Sequence, residues 1–258
     1  MEIEIGVGII FLLCAAYFIA GFVDSIAGGG GLIGIPVFLL TGISPDYALG
    51  TNKLAACLGT SCSLITYSQK GYVLWRLSAI GVPAALLGGF LGSKAILYFD
   101  VETIGKMIVI LLPLAIFITL APKKISNTDR EVSKKRKLFL TPLVCFMLGF
   151  YDGFLGPGTG SFFILAFHYF LGLGLVKASA TSKIFNLATG ISSFVAFALH
   201  GKVLYFVGIP LAFSNIAGNF LGSKMAINIG EKFVRKNLIF TLTLLFITLL
   251  WKLIISKF

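Results

Sequence analysis

The stretch Phe90-Leu91-Gly92-Ser93-Lys94 returns as Phe220-Leu221-Gly222-Ser223-Lys224, and the offset of 130 residues decides how the chain is built. At that offset Thr51-Asn52-Lys53 falls on Thr181-Ser182-Lys183, Gly71-Tyr72-Val73-Leu74 on Gly201-Lys202-Val203-Leu204, and Gly88 on Gly218. A slip of two residues then sets Gly21-Phe22-Val23-Asp24 on Gly149-Phe150-Tyr151-Asp152. The chain reads as two copies of one unit. Both copies are strongly apolar, and duplication inside an apolar chain is a signature of secondary transporters, whose substrate site lies between the repeats near the bilayer midplane.

Hydrophobic residues make up 57% of the 258 residues and charged residues 12%, against about 25% charged in ordinary globular domains. Lipid is therefore the dominant solvent, and the expected fold class is an all-α polytopic membrane protein. The Met1-Glu2-Ile3-Glu4-Ile5 start lacks the basic region of a cleaved signal peptide, so the first apolar run is read as a retained helix. A formal charge of +11 would suggest nucleic acid in a soluble protein, but seven basic and two acidic residues fall between Pro122 and Lys137 alone. That run is expected to be a cytoplasmic loop facing anionic headgroups, with no nucleic-acid partner. Cys14, Cys57, Cys62 and Cys145 have no metal or redox spacing and read as small packing residues. No HExxH, GxSxG, Walker-type or dinucleotide-binding pattern occurs, so neither an enzyme nor a cofactor is called for.

Apolar runs between polar or Gly/Pro breaks give five segments per copy: 5–22, 32–41, 45–68, 73–98 and 102–121, then 138–154, 160–172, 176–199, 203–226 and 233–256. The expected organisation is a first transmembrane repeat over 1–121, a basic linker over 122–137 and a second repeat over 138–258. The second segment of each copy is short, about 15 Å as a helix in the first copy, or half a hydrocarbon core of roughly 30 Å. Gly28-Gly29-Gly30-Gly31 precedes it in the first copy and Gly156-Pro157-Gly158-Thr159-Gly160 in the second. Glycine costs about 1 kcal/mol per helical position relative to Ala, so each copy is expected to carry a helix broken at a glycine loop. Five crossings per copy make the repeats inverted and four make them parallel. Placing the linker inside and counting five keeps Lys70, Arg76, Lys177 and the Lys232/Arg235/Lys236 cluster inside, which favours inversion with both termini outside.

Lys53 and Lys183 each lie about eight residues into a third segment, some 12 Å of rise, near the midplane. An ammonium at that depth faces a cavity, a partner or a substrate. The expected substrate site combines the two lysines, backbone donors at Gly28, Gly30, Gly156 and Gly158, and neutral donors from Thr51, Asn52, Thr181, Ser182 and Thr159. Helix N-termini with unpaired N–H groups favour the same anionic ligand. The competing reading makes the lysines buried ion-pair partners of Asp24 or Asp152. Those aspartates either take up coupled protons or cap the loop backbone. His168 reads as a satisfied core histidine and His200 as a helix-end residue. Gly88-x-x-x-Gly92 and Gly218-x-x-x-Gly222 have the spacing of closely packed transmembrane helices.

Gly21-Phe-Val-Asp24-Ser-Ile-Ala-Gly28-Gly-Gly-Gly-Leu-Ile-Gly-Ile-Pro36, followed by Ala48-Leu-Gly-Thr51-Asn52-Lys53, resembles the TauE/SafE sulfite-exporter family of membrane permeases, formerly an uncharacterised membrane-protein family. The second copy keeps the pattern at Gly156–Gly160 and Thr181-Ser182-Lys183 but lacks a counterpart of Pro36. The resemblance implies movement of small sulfur-containing anions, such as sulfite, thiosulfate or organosulfonates, across the cytoplasmic (inner) membrane. The resulting expectation is a multi-pass secondary transporter that works by alternating access, with a small anion and the lipid bilayer as partners and a homo-oligomer left open. The rival readings are an anion channel and, behind it, a membrane enzyme or scaffold that transports nothing.

Overall fold

The computed structural model describes residues 7–107, 132–237 and 239–240, and among these the only regular secondary structure is helical. Eight helices are used below: α1 (Val7–Ala27), α2 (Gly30–Leu40), α3 (Pro45–Gln69), α4 (Trp75–Leu97), α5 (Lys134–Phe154), α6 (Thr159–Leu171), α7 (Leu175–Leu199) and α8 (Tyr205–Ile229). Residues 101–107 and 231–237 are also helical. Residues 1–6, most of the linker, and the greater part of the segments expected at 102–121 and 233–256 lie outside the described residues.

Local chemistry sets the helix ends. Pro45 opens α3, where a missing N–H costs nothing. Ser133 caps α5 by accepting a hydrogen bond from the Arg136 amide at 3.3 Å. That cap starts the helix at Lys134, four residues inside the interval assigned to the linker. α1 runs to Ala27, past the end expected at residue 22, and so carries Asp24 on a helix. Gly21 is a packing glycine inside α1, where a β-carbon would collide with the Asn215 carbonyl of α8.

Length and composition qualify α1, α4, α5 and α7 to cross a membrane. α2 and α6, with 11 and 13 residues, rise only about 16 and 20 Å. α3 and α8 have 25 residues each, long enough to span, and carry polar side chains along their length. Their polar groups point inward: Asn52, Lys53, Thr60, Asn215 and Asn219 are buried, while Phe11, Leu12, Phe139, Met147, Phe206 and Phe213 are exposed. An apolar exterior around a polar interior is the arrangement that lipid favours.

The closest helix pairs join unlike copies, α1 along α8 and α4 along α5. Their approach depends on the repeated glycines. A β-carbon on Gly88 or Gly92 would strike the backbone of α5, and one on Gly218 would strike the backbone of α1. Thr51 accepts a hydrogen bond from the Leu204 amide at 3.0 Å and Thr181 one from the Leu74 amide at 3.3 Å. Each threonine therefore holds the start of the other copy's fourth helix. One link has no twin. Lys202, in the loop before α8, pairs with Asp46 at 2.7 Å, where matched positions carry Tyr72 and Val176. The Asp46 carboxylate holds the Lys202 ammonium above its ordinary range.

Candidate functional site

The breaks between α1 and α2 and between α5 and α6 meet each other. Gly28, at φ +73°, ends α1, and a β-carbon there would overlap the backbone of Gly160. The contact continues into Ser161, whose amide donates to the Gly28 carbonyl at 3.2 Å and whose hydroxyl donates to the Ala27 carbonyl at 2.6 Å. Only glycine on both sides allows two backbones to cross so closely.

A cavity of about 50 Å³ lies at this crossing, between the middle of α3 and the middle of α7, which is space for a few waters. Asp24, Asn52, Lys53, Cys57, Thr60, Asp152, Thr159 and Asn186 supply its polar walls, and Gly28, Gly31, Gly156, Gly158 and Gly160 much of the rest.

The lysines are exchanged between the copies. The Lys53 ammonium lies 2.9 Å from a carboxylate oxygen of Asp152 and donates to the Asp152 main-chain carbonyl at 2.6 Å. The Lys183 ammonium pairs with the Asp24 carboxylate at 3.3 Å and donates to the Asp24 main-chain carbonyl. Each lysine thus also bonds a main-chain carbonyl in the last turn of the partner helix, and at Asp24 that carbonyl accepts from the Gly28 amide as well. The pairs differ in exposure. The Lys183 side chain is 0% exposed and absent from the cavity wall, whereas Lys53 is part of that wall.

The helix starts differ in the same sense. Neither N-cap, Gly29 for α2 or Gly158 for α6, offers a side-chain cap. At α2 the Gly30 amide donates to the Asp24 carboxylate at 3.2 Å, so an internal anion already sits on that terminus. At α6 the amides of Gly158 and Gly160 make no hydrogen bond among the described residues. Gly158, Gly160 and Lys53 all line the cavity.

Several expected donors lie elsewhere. Thr51 and Thr181 hold the fourth helices as described, and the Ser182 hydroxyl donates to the Ser179 carbonyl at 2.7 Å; all three are outside the cavity wall. The Gly28 and Gly156 amides close the ends of α1 and α5 through the Asp24 and Tyr151 carbonyls, and Gly30 serves Asp24. The Asn52 side-chain oxygen accepts from the Tyr17 hydroxyl at 3.0 Å. His168 bonds the Leu173 carbonyl at 2.7 Å inside the core, and His200 caps α7.

Sequence reasoning missed Cys57, Thr60 and Asn186. Helical spacing was the available signal, because Cys57 follows Lys53 by four residues and Asn186 follows Lys183 by three. Asn186 carries a buried side-chain oxygen with no partner among the described residues. Among those residues no cluster of His, Cys, Asp or Glu is placed to hold a metal ion.

Residues 13–249 match the family described as Sulfite exporter TauE/SafE. The chain is 39% identical over 233 residues to a probable membrane transporter protein of Haemophilus influenzae, covering 90% of this chain and 91% of that one. Over 251 residues it is 36% identical to the probable membrane transporter protein ORF9 of a Sinorhizobium species, covering 93% and 91%. It is 33% identical over 232 residues to the probable membrane transporter protein YfcA of Escherichia coli K12, covering 88% and 83%. No solved structure matches it. With a match across nearly the whole chain and relatives of similar length, this protein belongs to the TauE/SafE family of membrane transporters.

Proposed function

We propose that the protein is a secondary transporter of small sulfur-containing oxyanions or sulfonates in the cell membrane, with its binding site at the crossing of the two glycine breaks. The observation that carries this reading is the Lys53 ammonium in the cavity wall, beside a helix start where the Gly158 and Gly160 amides make no hydrogen bond among the described residues. An ammonium and a bare N-terminus together suit a compact anion in a water-poor site. A few waters' worth of space also suits a small ion. The two units are inverted repeats, and alternating access comes from rocking one broken-helix unit against the other around the glycine contact. The crosswise pairing of helices, lysines and threonines supports that symmetry, and the distribution of basic loops supports inversion over parallel repeats.

The direct test is a thermal-shift screen of purified protein against sulfite, thiosulfate, alkanesulfonates, sulfate and carboxylates, followed by counterflow in proteoliposomes. A ligand that binds the native state raises its melting temperature. A rise with sulfur oxyanions or sulfonates and saturable counterflow of the same anions are expected; ohmic current would identify a channel instead. For the topology, Lys70→Cys and His200→Cys occupy matched, exposed positions. Labelling of the two from opposite faces of the membrane is expected, and labelling from one face would replace inversion with parallel repeats.

A further inference from the structure

We infer that Asp152 is an internal stand-in for the transported anion, and that its protonation releases Lys53, so that each anion travels with one proton. This rests on the anion-transport reading above. The carboxylate of Asp152 lies in the cavity wall, and Lys53 is its one hydrogen-bonding or ion-pair partner among the described residues. With both groups charged, the pair is neutral and the ammonium is taken. An anion that entered then would leave a carboxylate without a countercharge in a site of low dielectric, which is costly. A proton on Asp152 removes that charge, leaves Lys53 for the anion, and keeps the loaded cavity as neutral as the empty one. The balance is one proton and one monovalent anion in, with no covalent bond made or broken beyond the O–H of the carboxyl.

Asp24 is unsuited to the same task even though it is the matched residue. Its carboxylate is fixed by the Gly30 amide as well as by Lys183, and Lys183 is sealed from the cavity. Releasing Lys183 would present nothing to a ligand. The charged or titratable groups around Asp152 are Lys53 and Cys57 from α3, Tyr151 from its own helix, and Asp24 across the cavity with Lys183 behind it. α4 contributes the Ser93 hydroxyl near this end of α5 and α6 contributes Thr159, neither of which titrates. Lys94 of α4 lies over the Phe90 ring instead.

Methanesulfonate and ethanesulfonate are suitable probes because each is a monovalent anion with no proton that titrates near neutral pH. In proteoliposomes loaded with a pH-sensitive dye, uptake of either probe by the wild-type protein should acidify the lumen, and an inward proton gradient should concentrate the probe. In binding experiments the affinity should rise as pH falls, by up to about tenfold per pH unit for one linked proton. Asp152→Asn, which imitates the protonated carboxyl, should bind the probe at neutral pH as tightly as wild type does in acid and lose the pH dependence. Asp24→Asn should keep it. Uptake without proton movement, or an unchanged pH dependence in Asp152→Asn, overturns the inference and leaves anion transport standing. If Asp152→Asn does not fold, the proton measurement on wild type decides. Absence of any flux or binding of both probes counts against the transport reading itself, and the inference falls with it.

Discussion

The two lysine–aspartate pairs have the same ingredients and opposite surroundings. Lys183 is sealed from the cavity, and its partner Asp24, which reaches the cavity wall, is also held by the Gly30 amide at the start of α2; Lys53 and Asp152 both line the cavity, beside a helix start where the Gly158 and Gly160 amides make no hydrogen bond among the described residues. Duplication supplied two equal lysines, and packing sealed one from the cavity and left the other in its wall, paired with Asp152. A charge repeated in sequence is thus not an environment repeated in space.

The harshest way to test that contrast is to break the sealed pair. Lys183→Met strands the Asp24 carboxylate, and removing one partner of a buried pair costs about 3–5 kcal/mol. Loss of folded protein in detergent, read by fluorescence-detected size exclusion, is expected, with Asp24→Asn in the same chain restoring it. A normally folded Lys183→Met protein would show that the seal is not structural.

Lys53→Gln should weaken anion binding, and because it leaves the Asp152 carboxylate without a countercharge the effect is read in the Asp152→Asn background, where that cost is removed. Losing the partner of a desolvated anion costs about 2–5 kcal/mol of affinity, or roughly thirtyfold or more. Titration with the best anion from the screen measures this. Affinity near wild type would move the ligand away from Lys53 and make the two pairs alike.

Gly28→Ala tests the contact between the breaks. A methyl group there must enter the Gly160 backbone and hold a positive φ, a strain of about 1–3 kcal/mol. A lower melting temperature and slowed counterflow are expected, while unchanged flux would make the contact a spacer. Thr51→Val and Thr181→Val should have the smallest effects, about 1 kcal/mol each for a lost hydrogen bond, with anion affinity retained. Their equality is the informative part. A marked difference in melting temperature would mean that the copies differ at these ties as they do at the lysines.

Much of the helical layout was legible because Gly, Pro and apolar runs are local signals. The ends expected at 45–68 and 176–199 fall within one residue of α3 and α7. The apolar run ends at residue 22, but α1 continues to Ala27 because Asp24 is paired with Lys183 and so can stay on the helix. At the site, sequence pointed to Lys53, Asp152 and the glycine runs by their midplane position and repetition. It did not reveal which carboxylate each lysine meets, because the partners lie 99 and 159 residues apart. Nor did it separate Thr51 from Asn52, neighbours whose side chains leave the helix in different directions, one toward the Leu204 amide and one toward the cavity.

Those separations also have a consequence in time. A ribosome working at about 5–20 residues per second makes Asp152 roughly 5–20 s after Lys53, while Asp24 waits still longer for Lys183. During that interval α3 holds an uncompensated ammonium and α1 an uncompensated carboxylate, both destined for the membrane interior. Nascent α1 and α3 therefore have reason to stay beside the insertion machinery, or to borrow each other's charge, until the second half of the chain arrives to complete the exchange.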